Sequence, residues 1–438
     1  MNSDATEIDV LLICALKDEY DQVLSVTEGL VGDGWQEFVT AGGWTVSDAS
    51  FSSITNKPIH IRTTWASYMG RETTQAITSK LIHEQPARCI AMSGICAGRR
   101  GKVSLGDVIF AERMWSYDAG KLTVEDGKQH FQCDEIQYRP SHTWVQRMQQ
   151  INAKDASWIS SRPRLPLEYQ EEWVLRRMHD GEDPVNHPDF GVECPNWNDV
   201  LTRLWKRGWV DDNSTTLTES GAEVARKSIL LHPQKIPAPL EFQIHVAPLA
   251  TGAQVTEDDG IFPRLAESMR KVLGVEMEAS GIAAFGEVNE IPVVVAKGVS
   301  DFGDALKDDQ YRNFAAKAAA ECLIQFLRNA SDLYQGKRTN IMKDGAKNYD
   351  KTVLPMDLIE VLAELYPGIQ DARSLWERAG GKASEVENIS RPKDLWQKMW
   401  KLSTHGSIVT PVNLIKAASD EAPGNTVLAE YKAAYESE

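Results

Sequence analysis

Two carboxylates stand where apolar segments end. Glu278 closes Val275-Glu276-Met277-Glu278-Ala279, and Asp301 closes Val293-Val294-Val295-Ala296-Lys297-Gly298-Val299-Ser300-Asp301. Carboxylates so placed can hold a ligand or exchange a proton with it, and an open α/β sheet gathers such groups at the carboxyl ends of its strands. Between them Ile282, Ala283, Phe285 and Val288 fall at helical spacing, so the order reads strand end, helix, buried strand, acid. A third acid, Glu19, follows the apolar run that starts at Ile8. Taken alone, Glu19 is an acid in a first helical turn, favoured by the helix dipole, and Asp301 an N-cap for the turn behind it.

The elements that must position these acids alternate. Short β-branched runs at 8–16, 58–63 and 88–93 precede amphipathic stretches at 19–28, 70–84 and 105–113. The pattern resumes at Phe242–Ala250 and runs on to a helix at about 310–330. It predicts a layered α/β domain made of 1–157 and 241–330, interrupted by an insertion at 158–240. Pro-rich stretches, Arg162–Pro166 and His232–Pro239, punctuate both ends of that insertion. Residues 331–354 are polar and read as a linker, and 355–438 show four helical faces, which predict an all-α bundle. The chain has 438 residues and a formal charge of -16, which argues against a broad nucleic-acid surface. Its six scattered cysteines support neither a zinc site nor a disulfide framework, and no cofactor or metal is expected. The acidic start and the short apolar run after it are not those of a signal peptide or membrane span, so a cytoplasmic location is expected.

V-E-M-E-A and the later V-S-D resemble the signature pair of the nucleoside phosphorylase and nucleosidase superfamily, nearest the branch that hydrolyses methylthioadenosine and S-adenosylhomocysteine. Two further motifs agree: Ile8–Glu19 with the family's first strand and helix start, and Ser93-Gly94-Ile95-Cys96-Ala97-Gly98 with Leu105-Gly106-Asp107-Val108 with its Gly-rich turn and next strand. The resemblance implies a three-layer fold with a mixed sheet, and cleavage of the bond between a purine and its ribose. Asp301 would protonate the base at N7, Glu19 would deprotonate water, and Glu278 would bind the 2′ and 3′ hydroxyls. Met277 would pack under the sugar beside Glu276, with Ser300 and Lys297 supporting Asp301; the family usually has Arg where Lys297 stands. Gly94, Ile95 and Cys96 would form the turn, and Met69 and Arg71 a second turn facing the sugar.

Phosphorylases of the superfamily carry an Arg before the Gly-rich turn and a Gly-Asp-Pro on the first strand. Here Met92-Ser93-Gly94 and Cys14-Ala15-Leu16 occupy those places, which favours hydrolysis, with phosphorolysis as the alternative and a non-catalytic nucleoside sensor as a third reading. The basic loop Gly98-Arg99-Arg100-Gly101-Lys102 is a candidate for a substrate's phosphate, with Arg71 a second candidate; a solvated surface loop is the other reading. Val255 stands where the nucleosidases place a stacking Phe, so Trp115 or Tyr117 would have to supply the stacking. Within the insertion, Trp197–Val210 and Leu217–Ala225 resemble a winged-helix unit, read as a DNA-binding or a packing module, with acids around the wing disfavouring DNA. The C-terminal segment resembles the death-domain-like effector-associated domain in Leu362–Pro367, Ala372-Arg373, Ala379-Gly380, Trp396 and Pro423-Gly424-Asn425. That likeness implies a protein partner carrying the same kind of domain, often in bacterial defence. A homo-oligomer acting on a small purine nucleoside or nucleotide is expected.

Overall fold

The computed structural model describes residues 8–125, 128–134, 136–212, 214–253, 258, 260–305, 307–335, 354–404 and 407–436. The chain divides into two compact units, Met1–Thr339 and Asn340–Glu438. In the first, the strands are β1 (Ile8–Cys14), β2 (Leu30–Val39), β3 (Thr45–Phe51), β4 (Ile59–Trp65), β5 (Ala87–Gly98) and β6 (Val108–Ser116). They continue as β7 (Gly120–Glu125), β8 (Lys128–Cys133), β9 (Gln137–Tyr138), β10 (Ile244–Thr251), β11 (Gly274–Glu276) and β12 (Val293–Asp301).

The main sheet runs β11-β10-β6-β12-β5-β1-β4-β3-β2, and β11 also pairs with β5, so its first five strands close on themselves. β1 lies parallel to β4 and β5, and β12 parallel to β5 but antiparallel to β6, which makes the sheet mixed. Every residue of β1 and β12 is buried, as a strand covered on both faces requires. Val10, Leu12 and Cys14 share one face of β1 with Tyr20 and Val23 of the helix Lys17–Leu24 and with Phe314 and Ala318 of the helix Arg312–Asn329. The helices Arg71–Glu84 and Ala279–Val288 pack on each other and on the same sheet, giving an α/β fold of three layers. The helix Arg312–Asn329 approaches β12 closely because Gly298 has no side chain: a Cβ there would lie 2.0 Å from the Ala315 carbonyl oxygen.

The insertion is helical and has its own small core of Trp173, Val174, Val200, Leu204 and Ala225. It is not a separate compact unit. Its helices are Leu167–His179, Phe190–Glu193, Trp197–Lys206 and Glu219–Leu231. Thr218 caps the last of them by accepting from Gly221 N at 3.1 Å, and ahead of it one bridge joins Val210 to Leu217. Arg162 clasps entry to exit, donating to the Leu105 and Leu240 carbonyls at 3.1 and 2.9 Å. Asp107 of the Leu-Gly-Asp-Val motif stitches the returning chain down by accepting from Gln243 N and His245.

Val288, expected on the buried helical face, is 82% exposed because the helix ends there. The first unit also continues past 330: Ser331–Leu333 forms a turn, Tyr334 is buried, and its hydroxyl donates to the Leu327 carbonyl at 2.8 Å. Most of the expected linker, 336–353, lies outside the described residues. The second unit contains the helices Met356–Leu365, Ile369–Arg378, Pro392–Thr404, Pro411–Glu421 and Thr426–Glu436. Their core is Leu358, Leu362, Leu375, Trp376, Trp396, Trp400, Leu414 and Ile415, whereas Leu365, at the end of its helix, is exposed. No described helix is long and apolar enough to cross a membrane.

Candidate functional site

The carboxyl ends of β1, β5, β11 and β12 converge on one cleft, where Glu19, Met69, Ile95, Cys96, Glu276, Met277, Glu278, Ser300 and Asp301 form part of the lining. β1 stops at Cys14, and the next two residues turn the chain into a helix whose third residue is Glu19. The Glu19 carboxylate reaches back to cap that helix, accepting from Ala15 N at 2.9 Å and Leu16 N at 3.0 Å, and crosses to β5 to accept from Ile95 N at 2.9 Å. Burial raises its pKa, and the nearby Lys297 ammonium and these N–H groups only partly offset that. A buried, oriented and more basic carboxylate is suited to take a proton from water.

Gly94 makes the approach from β5 possible, since a Cβ on it would lie 2.6 Å from Glu19 Oε1. Gly94→Ala is expected to push the carboxylate off Ile95 N and lower turnover roughly tenfold or more, with little change in thermal unfolding, because 1 Å of misplacement is enough for losses of this size. Unchanged turnover in a steady-state assay would mean that the Glu19–Ile95 contact is dispensable.

A buried cation organises the other acids. Lys297 is fully buried, with Nζ 3.3 Å from Glu276 Oε2 and 3.4 Å from Glu278 Oε2. Burial would discharge it, but Glu276, Glu278 and Glu19 outweigh that, and its pKa is raised. Glu276 is saturated: it accepts from Thr251 Oγ1, from Glu278 N at 3.0 Å and from Ala279 N at 2.9 Å, so it anchors the start of the helix Ala279–Val288. Glu278 accepts from Gly70 N at 3.1 Å. Burial raises its pKa; Lys297 lowers it, and Glu276 and Glu19 raise it further.

Asp301 ends β12 just after a bulge in its pairing with β5. Gly303 N donates to Oδ1 and Ser300 Oγ to Oδ2, both at 2.8 Å, while Ser300 also lies 3.3 Å from the Cys96 carbonyl. When that single hydroxyl proton turns to the carbonyl, Ser300 can accept from a protonated Asp301 instead. Asp301 is 8% exposed, so it is reached only through the cleft.

Several expected residues stand elsewhere. Lys297, expected beside Asp301, is held by Glu276 and Glu278, and the cation near Asp301 is Lys307, at 4.0 Å from Oδ2. Arg71 forms a two-pronged pair with Asp118 at 2.8 and 2.9 Å. Arg99 donates to the Arg270 carbonyl, and Arg100 is held by Asp304 and Glu168 and stacks on Phe302. None of these three arginines lines the cleft. Trp115 is buried in an apolar cluster with Ala250, Ile261 and Phe262, and Tyr117 packs against it without lining the cleft. Val255 lies outside the described residues. Sequence reasoning missed Thr251, the Gly70 N–H, Lys307 and Arg312; the last two line the cleft and follow Asp301 within eleven positions, which was the available signal.

The insertion grips the loop behind Asp301. Arg203 bonds Asp308 at 2.9 Å and Glu171 at 2.6 Å, Gln310 bonds the Leu165 carbonyl at 3.2 Å, and Tyr311 bonds the Pro163 carbonyl at 2.9 Å. With Arg207 also paired to Glu171, the two arginines at the end of the helix Trp197–Lys206 serve packing within the protein.

Residues 356–436 match the family model described as effector-associated domain 1. An uncharacterised protein, y4jS, of Sinorhizobium fredii is 28% identical over 332 residues, covering 74% of this chain and 62% of that protein. The ATP nucleosidase Cap17 of Escherichia coli is 25% identical over 260 residues, covering 59% of this chain and 40% of that protein. The chain thus spans about three fifths and two fifths of the length of these curated relatives. The crystal structure of an S-adenosylhomocysteine nucleosidase from Streptococcus pyogenes superposes with a TM-score of 0.43 at 16% identity, covering 74% of this chain and 98% of that one. The chain thus carries an effector-associated domain 1 at residues 356–436 and is similar in sequence, over 59% of its length, to a nucleosidase.

Proposed function

We propose that the first unit hydrolyses the N-glycosidic bond of a purine nucleoside or nucleotide. The observation that carries this reading is the convergence of Glu19, Glu278 and Asp301 on one cleft, with each carboxylate oriented by at least one backbone N–H. Glu19 takes a proton from water as its oxygen bonds to C1′; the bond from C1′ to N9 breaks with its electron pair going to the base, and Asp301 delivers a proton to N7. Glu278 holds the 2′ and 3′ hydroxyls as the ribose becomes oxocarbenium-like, with Met277 and Met69 against the sugar. One water is consumed, and the free base and sugar leave.

The similarity to an ATP nucleosidase favours a nucleotide such as ATP, and the effector-associated domain favours recruitment by a partner bearing a like domain. Together they support a recruited effector that depletes a purine nucleotide; its setting in defence rests on the resemblance of the C-terminal segment, and its cytoplasmic location on the expectation from the sequence. Exposed Tyr68, next in sequence to the cleft residue Met69, offers an apolar side chain to a second copy of the chain, in keeping with a homo-oligomer.

The test is base release from adenosine, methylthioadenosine, AMP and ATP, with and without inorganic phosphate. Phosphate-independent release with a free reducing sugar is expected; a requirement for phosphate would make the enzyme a phosphorylase, and no release would leave a sensor. The pH profile is a second check. Because the Glu19 pKa is raised and the base must be ionised, activity should fall on acidification through a limb lying above the ordinary carboxylate range, and Glu19→Gln should abolish hydrolysis at every pH.

A further inference from the structure

We propose that Lys307 and Arg312 form an anion site at the edge of the cleft that takes the phosphate chain of a nucleotide substrate. This rests on the glycosidase reading for the identity of the ligand, but the cations themselves are a feature of the fold. Lys307, Arg312 and the fully buried Lys297 are the cations that bear on the cleft among the described residues. Lys297 is engaged by Glu276 and Glu278, whereas the side chains of Lys307 and Arg312 are 34% and 28% exposed. Among the described residues Lys307 makes one ion pair, to Asp301 at 4.0 Å. Arg312 gives Nε to Asp18 at 2.7 Å, and its two Nη groups make no hydrogen bond among the described residues.

The surrounding loop explains why these two cations face inward. Asp304, Asp308, Gln310 and Tyr311 are drawn outward to Arg100, Arg203 and the carbonyls of Leu165 and Pro163, so the insertion braces the loop from behind. Electrostatics require such a site. The cleft already holds Glu19, Glu276, Glu278 and Asp301, on a chain of net charge -16, and a phosphate chain could enter only where cations offset them. The position is also apt. In the anti form of a purine nucleotide the imidazole edge of the base and the 5′ oxygen lie on the same side, so a base whose N7 meets Asp301 brings its 5′ phosphates toward the neighbouring cations. Lys307 offers three rotatable donors and Arg312 a planar pair, which together suit two or more phosphate oxygens.

The experiment uses the full chain and four forms: native, Lys307→Ala, Arg312→Ala and the double variant, with Lys307→Arg as the charge-preserving control. Calorimetric titration with inorganic tripolyphosphate reads the anion site without turnover, and KM for ATP and for adenosine reads its use in catalysis. Tripolyphosphate affinity and the KM for ATP should each worsen on the order of ten- to hundredfold in the double variant, the scale of charged hydrogen bonds. The KM for adenosine should change far less, and Lys307→Arg should retain most of the affinity. Absence of tripolyphosphate binding to the native chain, or equal effects on ATP and adenosine, would overturn the proposal. If tripolyphosphate binding depends on both cations yet no base is released from any substrate, the anion site stands and the glycosidase reading falls. If ATP and adenosine are both cleaved and the variants change neither KM, the reverse holds.

Discussion

Asp301→Asn is expected to lower kcat by two to four orders of magnitude while leaving ligand affinity within a fewfold of the native chain. An amide has nearly the shape of the carboxyl group and can keep the bond from Gly303 N through its oxygen, so the loop behind it should hold its place. What is lost is the transferable proton. A purine leaves poorly as an anion, and protonation at N7 is worth most in the transition state, when the bond to C1′ is breaking. A loss confined to kcat therefore distinguishes an acid from a binding group, which would raise KM as well. Single-turnover base release with Asp301→Asn, beside equilibrium binding of the same substrate, is the measurement. Near-native turnover would remove Asp301 from the chemistry, and a matched loss of affinity would make it a recognition group only.

Glu19 and Asp301 were legible because each comes at the end of a long apolar run, and Glu278 through the V-E-M-E-A motif; the strands of an α/β sheet place such residues together at one rim. Their mutual bonding was not. Lys297 and Asp301 are close in sequence, which suggested a pair, but four residues of extended strand separate their Cα atoms by roughly 13 Å. The lysine therefore reaches across the closed part of the sheet to Glu276 and Glu278, at the end of β11, rather than along its own strand. Arg100 escaped for the complementary reason: its partners, Glu168 and Asp304, are far away in sequence, so a guanidinium that looks free is already paired. The two outer strands β2 and β3 passed unread because Gly32, Asp33, Gly34, Ser47, Asp48 and Ser50 interrupt their apolar pattern, as the far edge of a sheet tolerates. The helical C-terminal unit, by contrast, shows its faces through large residues such as Trp376, Trp396 and Trp400, and only the fifth helix was not separated from the fourth.

Lys297→Met should be the most destabilising substitution at the site, because it removes one buried charge and leaves several others without a counterion. Breaking a buried ion pair from one side costs about 3–5 kcal/mol, since the remaining charge stays desolvated. Here the methionine would fill much of the lysine's space, so the loss would be electrostatic rather than a cavity effect. Glu276 keeps its bonds to Thr251 and to the N–H groups of Glu278 and Ala279, so the helix start should survive. Glu278 and Glu19 would lose the attraction that now opposes the rise in their pKa values, and both should be pushed up further. Two readouts follow with defined signs: a lower midpoint in denaturant unfolding, and an acidic limb of the activity profile displaced to higher pH in whatever activity remains. Adding Glu276→Gln to Lys297→Met should recover part of the stability, because the double change removes both members of a pair that either single change leaves unbalanced. Simple additivity of the two losses would mean that Lys297 and Glu276 are not energetically coupled, and that the acids of this cleft are balanced by something other than the lysine's charge.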